Sequence, residues 1–211
     1  MNVIRIFFRI WPKLRFHWYT QWNRLYFWLI GIEYGRNLQV QCKVYLLGQG
    51  GVKIGDDFRF TSGDCINPIC RNIRGAMYVP YKESQIIIGD RVGISSACLW
   101  AKERITIGND VNIGGDCLIM DNDAHPHDYE LRRMDYWMNV SEEEYYSKIP
   151  TAPIEIGDDV WIGARCQIMK GVHIGPRSII AAGSVVTRDI PADVIAGGVP
   201  AKVIKRLTAQ A

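Results

Sequence analysis

The stretch IGDDVWIGARCQIMKGVHIGPRSIIAAGSVVTRDIP, Ile156 to Pro191, decides the fold. Taken in steps of six it puts Ile156, Ile162, Ile168, Ile174, Ile180 and Val186 at one position. Two residues before each stands Ile154, Val160, Cys166, Val172, Ser178 or Ser184, all small or medium in size. The same step is present upstream in Ile107, Ile113 and Ile119 and in Ile88 and Ile94, with a fainter copy in Ile54, Phe60 and Ile66. A period of six fits neither the 3.6-residue helix nor simple alternation along one strand. It is the mark of a parallel β-helix, in which each hexad is a short strand plus a corner and successive coils stack.

The rest of the composition agrees with one globular unit. The chain has 211 residues, 48% of them hydrophobic and 22% charged, with 20 glycines. A net charge of +3 gives no ground for a nucleic-acid partner. Cys42, Cys65, Cys70, Cys98, Cys117 and Cys166 show no CxxC pair and read as reduced core thiols, which favours the cytoplasm. No apolar run reaches the roughly 18 residues of a spanning helix, and the arginines scattered through the N-terminus speak against a signal peptide.

Three segments leave the repeat: residues 67–85, residues 121–153, and the tail from Pro191. Long insertions on a rigid scaffold are where chemistry tends to sit. The second opens with DNDAHPHDYELRR, Asp121 to Arg133, which holds His125 and His127. A β-helix interior is aliphatic, so a histidine that must meet a substrate belongs at a coil exit.

From about Ile86 to Leu207 the chain resembles the hexapeptide-repeat acetyltransferases, the group that holds maltose, galactoside and polysaccharide O-acetyltransferases. HPHDYELRR is similar to the motif in which they carry their catalytic histidine, His-Pro followed by a polar loop with Glu-Leu-Arg. The resemblance implies an all-β fold, a left-handed parallel β-helix of hexapeptide repeats with an excursion loop, and the aromatic N-terminus reads as a helical arm before it. The chain then divides into an arm, 1–36, and a β-helix acyltransferase domain, 37–207, with loops at 67–85 and 121–153.

By the same resemblance His125 is the general base, in direct transfer of an acetyl group from acetyl-CoA to a sugar hydroxyl. A hydroxyl attacks a thioester slowly unless a group with pKa near the working pH removes its proton. Asp121, Asn122 and Asp123 are substrate-binding candidates in the same turn, and with Asp128 or a backbone carbonyl they are candidates to orient His125. CoA contacts fall on Ala164, Ala182, Thr187, Arg188 and Lys205, the alanines admitting the thin pantetheine arm and the cations meeting phosphates.

No metal is required in this reading, and the enzyme is a homotrimer, with Trp161 and Val199–Pro200 candidates for the contact. The region Ser95–Lys102 lacks the acidic and amide residues of the galactoside and maltose enzymes. A saccharide acceptor other than their small free sugar is therefore expected, in a polysaccharide or lipid-linked precursor. Two alternatives stand beside it: an antibiotic (xenobiotic) acetyltransferase with the same base and donor, and a zinc enzyme like the hexapeptide-repeat carbonic anhydrases. The chain has only His17, His125, His127 and His173 for the latter, and an HxH pair is a weak ligand signal.

The N-terminal arm is rich in aromatics. Ile4, Phe7, Phe8, Trp11, Leu14, Trp18, Trp22, Leu25 and Leu29 follow helical spacing, Arg5, Arg9 and Lys13 form a separate row, and Pro12 is expected to kink or split the helix. Two roles are open for residues 1–31: a helix pair capping the first coil, or peripheral contact with the inner face of the cell membrane.

Overall fold

In a computed structural model, residues 3–63, 69, 73–133 and 138–207 are described, with side chains from Ile10 onward. Ile66, Cys65, Cys70, the side chains of Ile4, Arg5, Phe7, Phe8 and Arg9, and part of the 67–85 segment lie outside the described residues. Strands β1 to β20, numbered in chain order, form three sheets. The first sheet holds β1 (Glu33–Tyr34), β4 (Gly51–Ile54), β7 (Gln85–Ile88), β10 (Arg104–Ile107), β13 (Ile154–Ile156) and β16 (His173–Ile174). The second runs through β2 (Gln39–Gln41), β5 (Arg59–Thr61), β8 (Gly93–Ser95), β11 (Asn112–Ile113), β14 (Trp161–Ile162), β17 (Ile179–Ile180), β19 (Val194–Gly198) and β20 (Ala201–Arg206). The third holds β3 (Tyr45–Gly48), β6 (Ala76–Val79), β9 (Cys98–Trp100), β12 (Leu118–Met120), β15 (Gln167–Ile168) and β18 (Val185–Val186). The chain visits the three faces in turn, and this is the left-handed parallel β-helix expected.

Register follows the hexads. Ile156 pairs with Ile174, Ile162 with Ile180 and Ile168 with Val186, each three hexads apart. These residues and the position two before them, Ile154, Val160, Cys166, Val172, Ser178 and Ser184, are at most 2% exposed. Every fully buried Ile contributes about 2 kcal/mol of transfer free energy, so the rows dominate the stability.

The glycine that follows Ile156, Ile162 and Ile174 serves the stacking, not an unusual φ. A Cβ on Gly157 would come within 2.8 Å of Pro176 N, and one on Gly163 within 2.5 Å of Ala182 N. The left-handed residue of such a corner comes two positions later, as in Asp159 and Arg177.

The excursion at 67–85 is narrower than the sequence suggests. Ala76–Val79 is β6, paired parallel with β3 and β9, because Met77 and Val79 keep the inward alternation despite the missing Ile-Gly signal. The tail from Pro191 likewise still carries a rung, β19, before β20 turns back antiparallel on it. Cys98, Cys117 and Cys166 are free thiols, but Cys42 is disulfide-bonded, which corrects the reading of all six as reduced.

Helix α1 (Val3–Leu29) runs unbroken through Pro12, so the expected split does not occur. Proline deletes one N–H donor from a helix that keeps many others. The helix ends in a Schellman turn at Gly31 (φ +76°), with Ile32 N donating to Phe27 O and Gly31 N to Trp28 O.

One helix, not a pair, caps the column. Its second half lies on β2, the edge strand of its sheet. Thr20 Oγ1 donates to Val40 O, Asn23 Nδ2 to Val40 O and Cys42 O, and Arg24 to Leu38 O. Phe27, 1% exposed, closes the first coil from above. The edge that would otherwise template aggregation is thereby covered.

Asn23→Ala removes the donor to Cys42 O and leaves Val40 O only the longer bond from Thr20, and is expected to lower stability by about 1–3 kcal/mol. Leu14→Ser, on the opposite and exposed face, should change it by less than about 0.5 kcal/mol. Urea unfolding of the two variants checks the contrast.

Candidate functional site

The long insertion leaves the column at the corner between the third and first sheets. Its two ends are tied into a neck: Asn122 bridges Thr151, Ala152 N and Thr151 Oγ1 donate to Asp121 O, and Asp123 N donates to Pro150 O. Asp121 is fully buried. Its carboxylate accepts from the backbone N–H of Lys102, Glu103 and Arg104 at 2.7–2.8 Å, and from Asn122 Nδ2. Every lone-pair direction of that carboxylate is engaged in holding the neighbouring corner, so Asp121 is a structural residue and not one open to a substrate.

His125 stands exposed just above the neck, its N–H donating to Asp123 O at 2.7 Å. Arg132, from the Glu-Leu-Arg part of the motif, donates to the carbonyls of Pro126 and His127 and clamps the turn. The ring partner of His125 is none of Asp121, Asn122, Asp123 or Asp128. It is the hydroxyl of Tyr145, 3.0 Å from Nδ1. Asp123 is engaged elsewhere, with His127 Nε2 at 2.6 Å and Lys170 Nζ at 2.8 Å.

Tyr145 arrives on helix α2 (Glu142–Ser147), capped by the Ser141 side chain, which accepts from Glu144 N. Glu142, Glu143 and Glu144 in its first turn suit the positive end of the helix. Lys102 holds the other end, donating from Nζ to Tyr146 O and Ile149 O. Burial lowers the pKa of that ammonium, with Asp121 and Glu103 opposing.

Between α2 and the third sheet lies a cavity of about 240 Å³ lined by His125, Asn122, Tyr78, Tyr81, Trp100, Tyr145 and Tyr146 among others. Its aromatics pack on one another, Tyr78 against Trp100 at 5.5 Å and Tyr81 against Tyr146 at 5.9 Å between centroids. Burial pushes the Tyr81 phenol up to about 12, so it stays a hydroxyl donor near neutrality.

The remaining candidates fall along both edges of the third sheet. Ala164 and Ala182 stand at successive corners before it, directly above one another, since a Cβ on Gly163 would touch Ala182 N. Thr187 and Arg188 stand at the corner after it, the same edge as His125, in a cleft of about 510 Å³. The cation that shares the cleft is Lys202, not Lys205, which pairs with Ile195 in the hairpin of β19 and β20.

Sequence reading missed Tyr145, Tyr146, Tyr78, Tyr81, Trp100 and Lys102. The Ser141–Glu144 run is a helix-start signal that would have placed the two tyrosines on a helix. Nothing in the sequence says that this helix folds back over His125. Among the described residues no three His, Cys, Asp or Glu side chains converge as metal ligands.

Residues 153–188 match the family described as bacterial transferase hexapeptide (six repeats). Galactoside O-acetyltransferase of Escherichia coli is 42% identical over 115 residues, 51% of this chain and 51% of that protein. The 2,3,4,5-tetrahydropyridine-2,6-dicarboxylate N-acetyltransferase of Staphylococcus aureus is 51% identical over 55 residues, 26% of this chain and 23% of that one. The chain thus spans about half, or less, of the length of these relatives. Among solved structures, the N-acyltransferase AntD of Bacillus cereus, in complex with dTDP-4-amino-4,6-dideoxyglucose and coenzyme A, superposes with a TM-score of 0.67 at 19% identity, over 88% of this chain and 89% of that one. With its buried Ile rows, three sheets and matching repeat segment, the chain folds as a left-handed parallel β-helix of hexapeptide repeats.

Proposed function

We propose that the protein is an acetyl-CoA-dependent O-acetyltransferase acting on a sugar hydroxyl of a polysaccharide or lipid-linked saccharide precursor. The observation that carries this reading is His125 at the mouth of an aromatic cavity, tethered through one ring nitrogen to Tyr145. With Nδ1–H donating to the Tyr145 oxygen, Nε2 keeps its lone pair for the acceptor hydroxyl. His125 takes the hydroxyl proton as the acceptor oxygen bonds to the acetyl carbonyl carbon. The carbon–sulfur bond then breaks, and the same nitrogen returns the proton to the departing sulfur.

Tyr78, Trp100 and Tyr146 give the cavity walls on which the apolar face of a pyranose can rest, and Asn122 and Tyr81 supply polar edges. Arg188 and Lys202 suit the anionic end of the donor, and the stacked Ala164 and Ala182 leave a shallow edge for its pantetheine arm. The support from relatives is the acetyl transfer named for the galactoside enzyme, and for AntD a sugar nucleotide with coenzyme A.

A homotrimer belongs to this reading, with grooves between copies where Trp161 and Val199, 56% and 72% exposed, are available for contact. The thioester donor is a cytoplasmic metabolite, and the reading keeps the enzyme there, at the inner membrane face when the acceptor is lipid-linked.

Transfer of labelled acetyl groups from acetyl-CoA to a panel of saccharides tests the reading. His125→Ala should lose about 10²–10⁴ in turnover with CoA affinity nearly intact; equal turnover would remove His125 from its role. Tyr145→Phe, which deletes one hydrogen bond worth about 1 kcal/mol, should lower kcat several-fold while KM for acetyl-CoA stays put. Arg188→Ala and Lys202→Ala should raise that KM, and less so at high salt.

A further inference from the structure

We propose that α1 lays its outward apolar stripe on an anionic membrane surface, with the β-helix held on the water side. The inference rests on α1 alone and not on acyl transfer. One side of the helix is already used: Thr20, Asn23 and Phe27 are buried against β2 and the first coil. On the opposite side Leu14, Trp18, Trp22, Leu25 and Leu29 recur at intervals of four, four, three and four residues, a single stripe in helical projection. All five face solvent, at 59%, 61%, 48%, 50% and 66% exposure, and Trp18 and Trp22 stack at 6.1 Å. Capping therefore does not explain the stripe, because the cap uses the other face.

Charge selects the occupant. The helix carries Arg5, Arg9, Lys13 and Arg15, besides Arg24 that donates to Leu38 O, and not one Asp or Glu. A second copy of the helix would bring like charges together, whereas anionic headgroups neutralise them. Tryptophan is the residue best suited to the interfacial layer, and leucines beside it enter the acyl boundary. Among the described residues no helix is long and apolar enough to cross a membrane, and the basic and polar residues interleaved with the stripe of α1 suit a place in the interface plane.

The full-length protein is sedimented with phosphatidylcholine vesicles, alone or with about one third phosphatidylglycerol. Wild type should pellet with the anionic vesicles at least about tenfold more than with the neutral ones. The variant Trp18→Ser/Trp22→Ser/Leu25→Ser, whose urea midpoint verifies that the exposed changes leave the fold intact, should lose that binding by about tenfold. His125→Ala should bind vesicles like wild type, so a failed transfer assay and a failed membrane assay are told apart. Wild type that stays in the supernatant with both vesicles, or a triple variant that still pellets, overturns the proposal. A wild type that binds no vesicles and dissociates into smaller species when the stripe is substituted overturns it in favour of contact between copies.

Discussion

Every feature of this molecule is subordinate to the spacing of one coil above the next. Parallel strands sit about 4.8 Å apart, and that distance leaves no room for a Cβ where corner backbones pass over one another. Gly157 and Gly163 meet the demand at corners whose φ any residue could adopt, so their role is clearance. The Ile rows fill what remains inside. Together they make a rod on which successive coils cannot slip, since a one-residue shift would turn each Ile outward.

That rigidity is what lets a polar excursion be held accurately. Asp121 spends its carboxylate on three amides of the adjacent corner, and residues 121–123 pair with 150–152, so the insertion begins and ends at one fixed place. From there Tyr145 comes back over His125, and Lys102 reaches from the column to the end of α2. Side chains from two coils and one insertion thereby share a cavity.

The coil was legible because its signal is chemical and repeated: Ile or Val at each sixth position, with a glycine after Ile156, Ile162 and Ile174. Legibility ended where a rung lacks that signal, as in β6, which reads Ala-Met-Tyr-Val and yet pairs on both sides. The place of His125 at a coil exit was legible in the sequence, and Thr187 and Arg188 line one cleft. Asp121 read as a binding residue because an Asp-Asn-Asp turn looks solvated in sequence, and burial is a tertiary property. Tyr145 was out of reach for the same reason: twenty residues separate it from the ring it touches, and only the neck brings them together. The arm showed its apolar period plainly, but which face would meet the coil depended on Asn23 and Thr20, two polar residues within an otherwise apolar helix.

The neck at 121–123 and 150–152 has an evolutionary consequence. Because both ends of the insertion are anchored at a single corner, residues between them can be lengthened, shortened or rewritten without disturbing a single rung. Packing constrains the scaffold, while the cavity wall carried by α2 is constrained by whatever molecule it receives, so the two can vary independently.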